Sequence, residues 1–295
     1  MNLLEGLEKF GLDKMDTEHI FEEEKKEEET AQPKPEVQEV VHCEKEFLLE
    51  KSIRCPVCDF VFKTKMVKTG RVKRLEPDFD LRPRFQYIDT NKYDVSSCPK
   101  CGYTAMNRYF AHLSAGQIKM IDEGVRRKFK QTNLVEPEEY SYEEAIERYK
   151  LALYNTIVKK GKASEKAFEC LKISWLYRGK VEELMASSDK DAKAIEENQK
   201  NERLYYEQAY DGFLKAIASE PFPMCGMEES TINLLVGSIA FQLEKYDVAS
   251  RFVAMVLTSH AAGRSAKERA MDLKESIIKK LHNLCSTERQ SSWNL

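Results

Sequence analysis

Cys55-Pro56-Val57-Cys58 and Cys98-Pro99-Lys100-Cys101-Gly102 decide how this 295-residue chain is read. Each is a C-x-x-C knuckle, and two knuckles supply the four thiolates of a tetrahedral metal site. Proline after the first cysteine pre-sets φ for a tight turn, and glycine after the last permits a positive φ, so the turn can aim backbone N–H groups at the sulfurs. Cys55, Cys58, Cys98 and Cys101 are therefore the candidate metal ligands. Four thiolates suit zinc or iron. Zinc is the preferred reading and iron in a rubredoxin-like site the alternative, with Asp59 standing where such sites usually carry glycine. An all-cysteine shell leaves no open position, so the metal is expected to be structural. Arg54 and Lys100 flank the thiolates and are expected to soften their charge.

The 39 residues between the knuckles (59–97) exceed the usual spacing of four-cysteine zinc sites. Loop closure grows only logarithmically costlier with length, but an insert this long needs structure of its own. Val61 to Val67 alternates, with Phe62, Thr64 and Met66 on one face and Lys63 and Lys65 on the other. Thr69-Gly70 reads as a turn and Arg71 to Leu75 as the return strand. Phe47–Ile53 delivers the first knuckle, while Phe85–Ile88 and Tyr93–Val95 deliver the second. Together these make a small antiparallel zinc-ribbon-like domain over 47–112.

Charge is distributed unevenly. Residues 1–46 hold 6 Lys/Arg against 15 Asp/Glu, residues 47–112 hold 13 against 7, and residues 113–295 hold 28 of each. Glu22 to Glu29, followed by Pro33-Lys34-Pro35, is too polar to offset its ordering entropy, so 1–46 is expected to be largely disordered. Leu3, Leu4, Leu7, Phe10 and Leu12 ahead of it form a candidate short docking helix. The start lacks a basic n-region, no apolar run is long enough to span a membrane, and eight cysteines without a targeting segment point to a reducing cytosol.

From Tyr140 onward the periodicity becomes helical and resembles tetratricopeptide (TPR) repeats. Ala209, Phe213, Ala216 and Pro221 carry the small–aromatic–small spacing and closing proline of a second repeat helix, with Tyr206 ahead. Tyr142, Ala145, Tyr149 and Ala152 repeat the spacing, as do Tyr246, Ala249, Val253 and Val256. Phe168, Leu171, Trp175 and Gly179 fit a first helix. Small residues at this spacing let two helices of a hairpin approach closely. The intervals are irregular, 64 residues from Ala145 to Ala209 and 40 from there to Ala249, so an irregular helical bundle is the alternative. Ser187 to Arg203 reads as a solvent-projecting extension of a long helix ending near Ser219. Ala266 to Leu284, with Ala270, Leu273, Ile277 and Leu281 on one stripe, reads as a capping helix. The expected class is α+β and mostly α: an N-terminal segment (1–46), a ribbon (47–112) and a TPR-like helical domain (113–290).

Arg54-Cys55-Pro56-Val57-Cys58, Asp78-Phe79-Asp80, and Tyr93-Asp94-Val95 leading into Cys98-Pro99-Lys100-Cys101-Gly102-Tyr103 resemble an uncharacterised bacterial family, the domain of unknown function twenty-two-twenty-five. The resemblance implies a metal-bound ribbon followed by helical repeats, and no activity.

No nucleotide-binding loop, nucleophile elbow or H-E-x-x-H is present. Asp78 and Asp80, at i and i+2, read as turn carboxylates satisfying backbone N–H groups ahead of an acid–base pair, and His112 as a helix-terminal histidine. Lys63, Lys65, Lys68, Arg71, Lys73, Arg74, Arg82 and Arg84, with Phe85 and Tyr87 nearby, form a candidate nucleic-acid face. The function expected first is a cytosolic, non-enzymatic adaptor that binds a protein partner on its helical surface. A nucleic-acid-binding protein comes second, and a rubredoxin-like iron protein or a hydrolase third.

Overall fold

A computed structural model describes residues 42–130, 136–188 and 190–291. The candidate docking helix and the Glu22–Glu29 run lie outside the described residues. The fold is α+β and mostly α. Strand β1 (Leu48–Arg54) pairs antiparallel with β2 (Val61–Val67), Arg54 opposite Val61, so the first knuckle is the turn of a hairpin. Strands β3 (Val95–Ser97) and β4 (Thr104–Met106) form a second hairpin around the second knuckle.

The strand assignments between the knuckles need correction. Residues 71–75 do not return along β2, whose strand partner is β1. Arg74 bridges Phe85 instead, with Leu75 N–H donating to Arg84 O and Gln86 N–H to Lys73 O. These bonds make a narrow arm spanning 72–86. Thr90–Tyr93 is a 3-10 helix capped by Asp89. Lys65, expected on the solvent face, is buried with its ammonium over the Tyr140 ring. Residues 42–46 are tied in through Glu44, which accepts from Tyr93 Oη at 2.6 Å.

Among the described residues, seven α-helices follow: α1 (Ala115–Ile121), α2 (Tyr142–Val158), α3 (Ala163–Ala186), α4 (Ala192–Ser219), α5 (Glu229–Gln242), α6 (Tyr246–Thr258) and α7 (Arg264–Ser291). None among the described residues is long and apolar enough to cross a membrane. Ser141 and Glu144 form a capping box that starts α2, and the Asp191 carboxylate caps α4. The short connections make α3/α4 and α5/α6 helical hairpins. The small residues act as expected: a Cβ at Gly212 of α4 would stand 2.8 Å from the Ala167 Cβ of α3, so only glycine permits that approach. Ala209, Phe213 and Ala216 are fully buried. The apolar stripe of α7 is shorter than expected, because Ala270, Leu273 and Ile277 are buried whereas Leu281 is 43% exposed.

Ribbon and helices share their interiors. Val95 and Met106 belong to the same apolar core as α2–α7, and Ile121 and Val125 pack into the cysteine cluster. The arm makes the second connection. Asp80 at its tip is 1% exposed and accepts from Trp175 Nε1 at 2.9 Å and from both terminal nitrogens of Arg178 at 3.0 and 2.9 Å. Burial by itself would raise the Asp80 carboxyl, but Arg178 outweighs it and holds the group below its ordinary range. Arg82, also 1% exposed, reaches Asp89 at 3.0 Å and Glu182 at 3.1 Å, while Arg84 joins Asp78 and Glu182 at 2.6 Å each. The aspartates of the Asp78-Phe79-Asp80 turn thus answer guanidinium groups, not backbone N–H groups. Phe79 between them packs on Phe241 with ring centroids 5.4 Å apart.

Removing one partner of such a buried pair leaves an uncompensated charge. Asp80→Ala should therefore lower unfolding free energy by about 3–5 kcal/mol in urea titration, and an unchanged midpoint would show that the arm carries no stability. A second prediction concerns Glu169 of α3, which is fully buried. Its Oε1 accepts from Thr156 Oγ1 at 2.9 Å, and its Oε2 has no hydrogen bond among the described residues. Burial, helped by Glu165, pushes its carboxyl from 4.5 up to about 8, against the opposing pull of Lys159. Because the folded pKa is raised, this group's share of stability is complete below pH 4.5 and lost as pH rises toward 8. Glu169→Gln should flatten that decline, read as the urea midpoint at pH 5 and pH 8.

Candidate metal centre

The two knuckles are built alike. Cys55 N–H donates to Phe60 O at 2.9 Å and Asp59 N–H to Cys55 O at 3.0 Å. In the second, Cys98 N–H donates to Tyr103 O at 2.8 Å and Gly102 N–H to Cys98 O at 3.0 Å. The residue after each pair takes a left-handed backbone, φ 58° at Asp59 and 73° at Gly102. Aspartate tolerates that region better than most side chains, so the first turn forms without glycine. The second has no such latitude: a Cβ on Gly102 would stand 2.3 Å from the Phe129 ring.

These turns bring the four expected sulfurs to one point. All four Sγ atoms lie within 4.8 Å of one another, with Cys55–Cys101 and Cys58–Cys98 each at 3.6 Å. Zinc–sulfur bonds of 2.3 Å in a tetrahedron put neighbouring sulfurs about 3.8 Å apart, so the quartet fits a first-row metal. Cys55, Cys98 and Cys101 are fully buried and Cys58 is half-buried. The backbone N–H groups of Val57 and Cys58 favour the Cys55 thiolate, and those of Cys101 and Lys100 the Cys98 thiolate.

The thiols cannot ionise independently. Hydrogen bonds from Cys101 and Cys55 pull the Cys98 thiol down to about 2. The same crowding drives Cys101 far above its ordinary range, first through Cys55. At Cys55 the Cys101 hydrogen bond lowers the thiol, but Cys98 and burial outweigh it and carry it to about 12. A full set of four thiolates therefore calls for a cation at the centre. Phe62, Tyr103, Phe110, Ile121 and Val125 pack around the cluster. Tyr103 Oη donates to Phe110 O at 3.0 Å, and Asn155 Nδ2 of α2 donates to Gly102 O at 3.1 Å. The knuckle is thereby hydrogen-bonded to the helical half. The flanking cations are otherwise engaged: Arg54 lies 3.6 Å from Asp59, and the Lys100 ammonium sits over the Phe60 ring.

Several of the eight cations read as a nucleic-acid face are engaged within the protein. Lys63 pairs with Glu50 at 2.9 Å, Lys68 donates to Glu46 O at 3.1 Å, Lys65 is buried, and Arg82 and Arg84 belong to the acidic network on α3. Arg71, Lys73 and Arg74 are exposed without an ionic partner among the described residues. His112 is exposed and outside the cysteine cluster. Cys170 and Cys225 are buried, the latter donating to Ser164 O at 3.3 Å. The partners of Asp80 lie about a hundred residues away and were not visible in the sequence. The one local signal was the crowding of opposite charges in Asp78-Phe79-Asp80-Leu81-Arg82-Pro83-Arg84.

A family model described as an uncharacterized protein conserved in bacteria, DUF2225, matches residues 48–277. No curated protein and no solved structure matches the chain. Two substitutions separate the roles of the knuckle turns. Gly102→Ala combines a left-handed backbone with the Phe129 clash and should cost about 1–3 kcal/mol. Asp59→Gly should change stability little, because relief of the left-handed backbone offsets the added entropy of the unfolded chain. Equal denaturation midpoints for the two variants would refute this account of the turns.

Proposed function

We propose, for a chain that belongs to the DUF2225 family of uncharacterized bacterial proteins, that the cysteine quartet holds a structural zinc ion and that the protein is a non-catalytic adaptor acting in the cytosol. The observation that carries this reading is the closed shell: four sulfurs within 4.8 Å of one another, with no fifth donor among the described residues, and four thiolates fill a tetrahedral site. The ion would draw the two hairpins together, and its chemistry there is charge neutralisation of the thiolates. Iron would fit the same sulfurs and give a coloured protein; zinc gives a colourless one. Partner binding is supported by the arrangement of consecutive helical hairpins, which presents an extended surface to a second protein. The nucleic-acid reading draws less support from the basic residues, since Lys63, Lys65, Lys68, Arg82 and Arg84 are engaged within the protein.

The metal reading is tested by elemental analysis and native mass spectrometry of the purified chain. One zinc per chain is expected, and Cys55→Ser/Cys98→Ser should abolish it; full zinc occupancy in that double variant would refute the assignment. Chelation should also reach beyond the ribbon, because Val95 and Met106 lie in the helical core and Asn155 holds Gly102. Hydrogen exchange should then rise in β1–β4 and in α2, while α5 and α6 stay protected. Cross-linking in cells tests the partner reading, which predicts one protein attached through the helices.

A further inference from the structure

The four cysteines of the quartet differ in their access to water. Cys55, Cys98 and Cys101 are fully buried, whereas Cys58 is half-buried, and the two residues after it, Asp59 and Phe60, are exposed. A small reagent arriving from solvent therefore meets Cys58 first. Thiolate, the form in which a metal holds cysteine, is also the nucleophilic form.

The sulfurs are close in pairs that cross from one hairpin to the other. Cys58 Sγ lies 3.6 Å from Cys98 Sγ, and Cys55 Sγ lies 3.6 Å from Cys101 Sγ. A bond between Cys58 and Cys98 would tie the β1–β2 hairpin to the β3–β4 hairpin, which is the task given above to the ion. Cys55 and Cys101 are packed among Phe62, Tyr103 and Phe110 and are shielded from the same reagent.

We propose, on the zinc reading, that the quartet is a peroxide-responsive site: Cys58 is oxidised first, a Cys58–Cys98 disulfide replaces the ion as the link between the hairpins, and zinc is released. The Cys58 thiolate attacks one oxygen of hydrogen peroxide, the O–O bond breaks, and a sulfenic acid and hydroxide result. The Cys98 thiolate then attacks the Cys58 sulfur, the S–O bond breaks, and a second hydroxide leaves. The two sulfurs give up two electrons and the peroxide accepts them. With two of four ligands consumed, the site no longer holds the ion, and Cys55 and Cys101 stay reduced. Oxidation and chelation then differ in outcome. Chelation leaves the hairpins unlinked, whereas oxidation leaves them joined, with Gly102 O still held by Asn155 Nδ2.

The test uses the full-length chain, its zinc content measured first by elemental analysis. Hydrogen peroxide is then added in stoichiometric amount, and a chromophoric chelator reports free zinc. Release of about one zinc per peroxide consumed is expected. Differential alkylation with mass spectrometry should find a Cys58–Cys98 disulfide, with Cys55 and Cys101 as thiols. In hydrogen exchange, β1–β4 and α2 should be protected about tenfold better in the oxidised chain than in the chelated, reduced chain. Dithiothreitol with added zinc should restore the starting protein. Zinc retained under peroxide, a disulfide within one knuckle, sulfinic acid at Cys58, or equal protection in the oxidised and chelated chains would each overturn the proposal and leave the structural zinc standing. A chain purified without zinc would refute the zinc reading, and this inference with it.

Discussion

The convergence of four sulfurs on one point is the constraint from which the rest of the architecture follows. Two turns separated by 39 residues must meet within bonding distance of a common centre. Each turn is closed by the same pair of backbone bonds, so each strand pair is a hairpin around its own cysteines. Both hairpins are self-paired, and the residues between them add no strand to either sheet. They leave the ribbon as a narrow arm and find their partners on the helices. The cysteine cluster thus sets apart an element that reaches well beyond it.

Legibility in the sequence tracks the range of the interactions involved. The cysteine cluster and the small-residue spacing were readable because knuckles and helix periodicity are local signals: the four cysteines meet, and Ala209, Phe213 and Ala216 are buried. The strand partners were misread because alternation in Val61–Val67 reports a strand but not what lies beside it. Lys65 lies on the face expected, but Tyr140 covers that face there, and a lysine stem can lie buried with its charge against an aromatic ring. The arm's network was illegible because Asp80 answers Arg178 across 98 positions. The Leu281 end of the α7 stripe failed for a related reason: the apolar period continues, but the neighbouring helices that would cover it do not.

The buried charges of the arm carry a cost as well as a bond. Withdrawing Asp80 and Arg82 from water is expensive, and well-packed apolar residues of similar volume often serve stability as well or better. What the ionic version adds is direction. A carboxylate held by two guanidinium nitrogens and an indole N–H accepts one placement of the arm on α3. We infer that the network fixes where the arm lies more than it adds to the free energy of folding.

The 98-residue separation of Asp80 and Arg178 also has a meaning in time. A ribosome adding about 5–20 residues per second needs roughly 5–20 s to make the second partner after the first. Through that interval the nascent arm carries its aspartates and arginines in water, where they are well solvated and keep an unpaired strand from premature association. The same charges that would be costly to bury alone are therefore protective while synthesis proceeds. They change role only when α3 arrives and the arm docks, so order of emergence, and not final stability alone, gives a reason for an ionic seam at this junction.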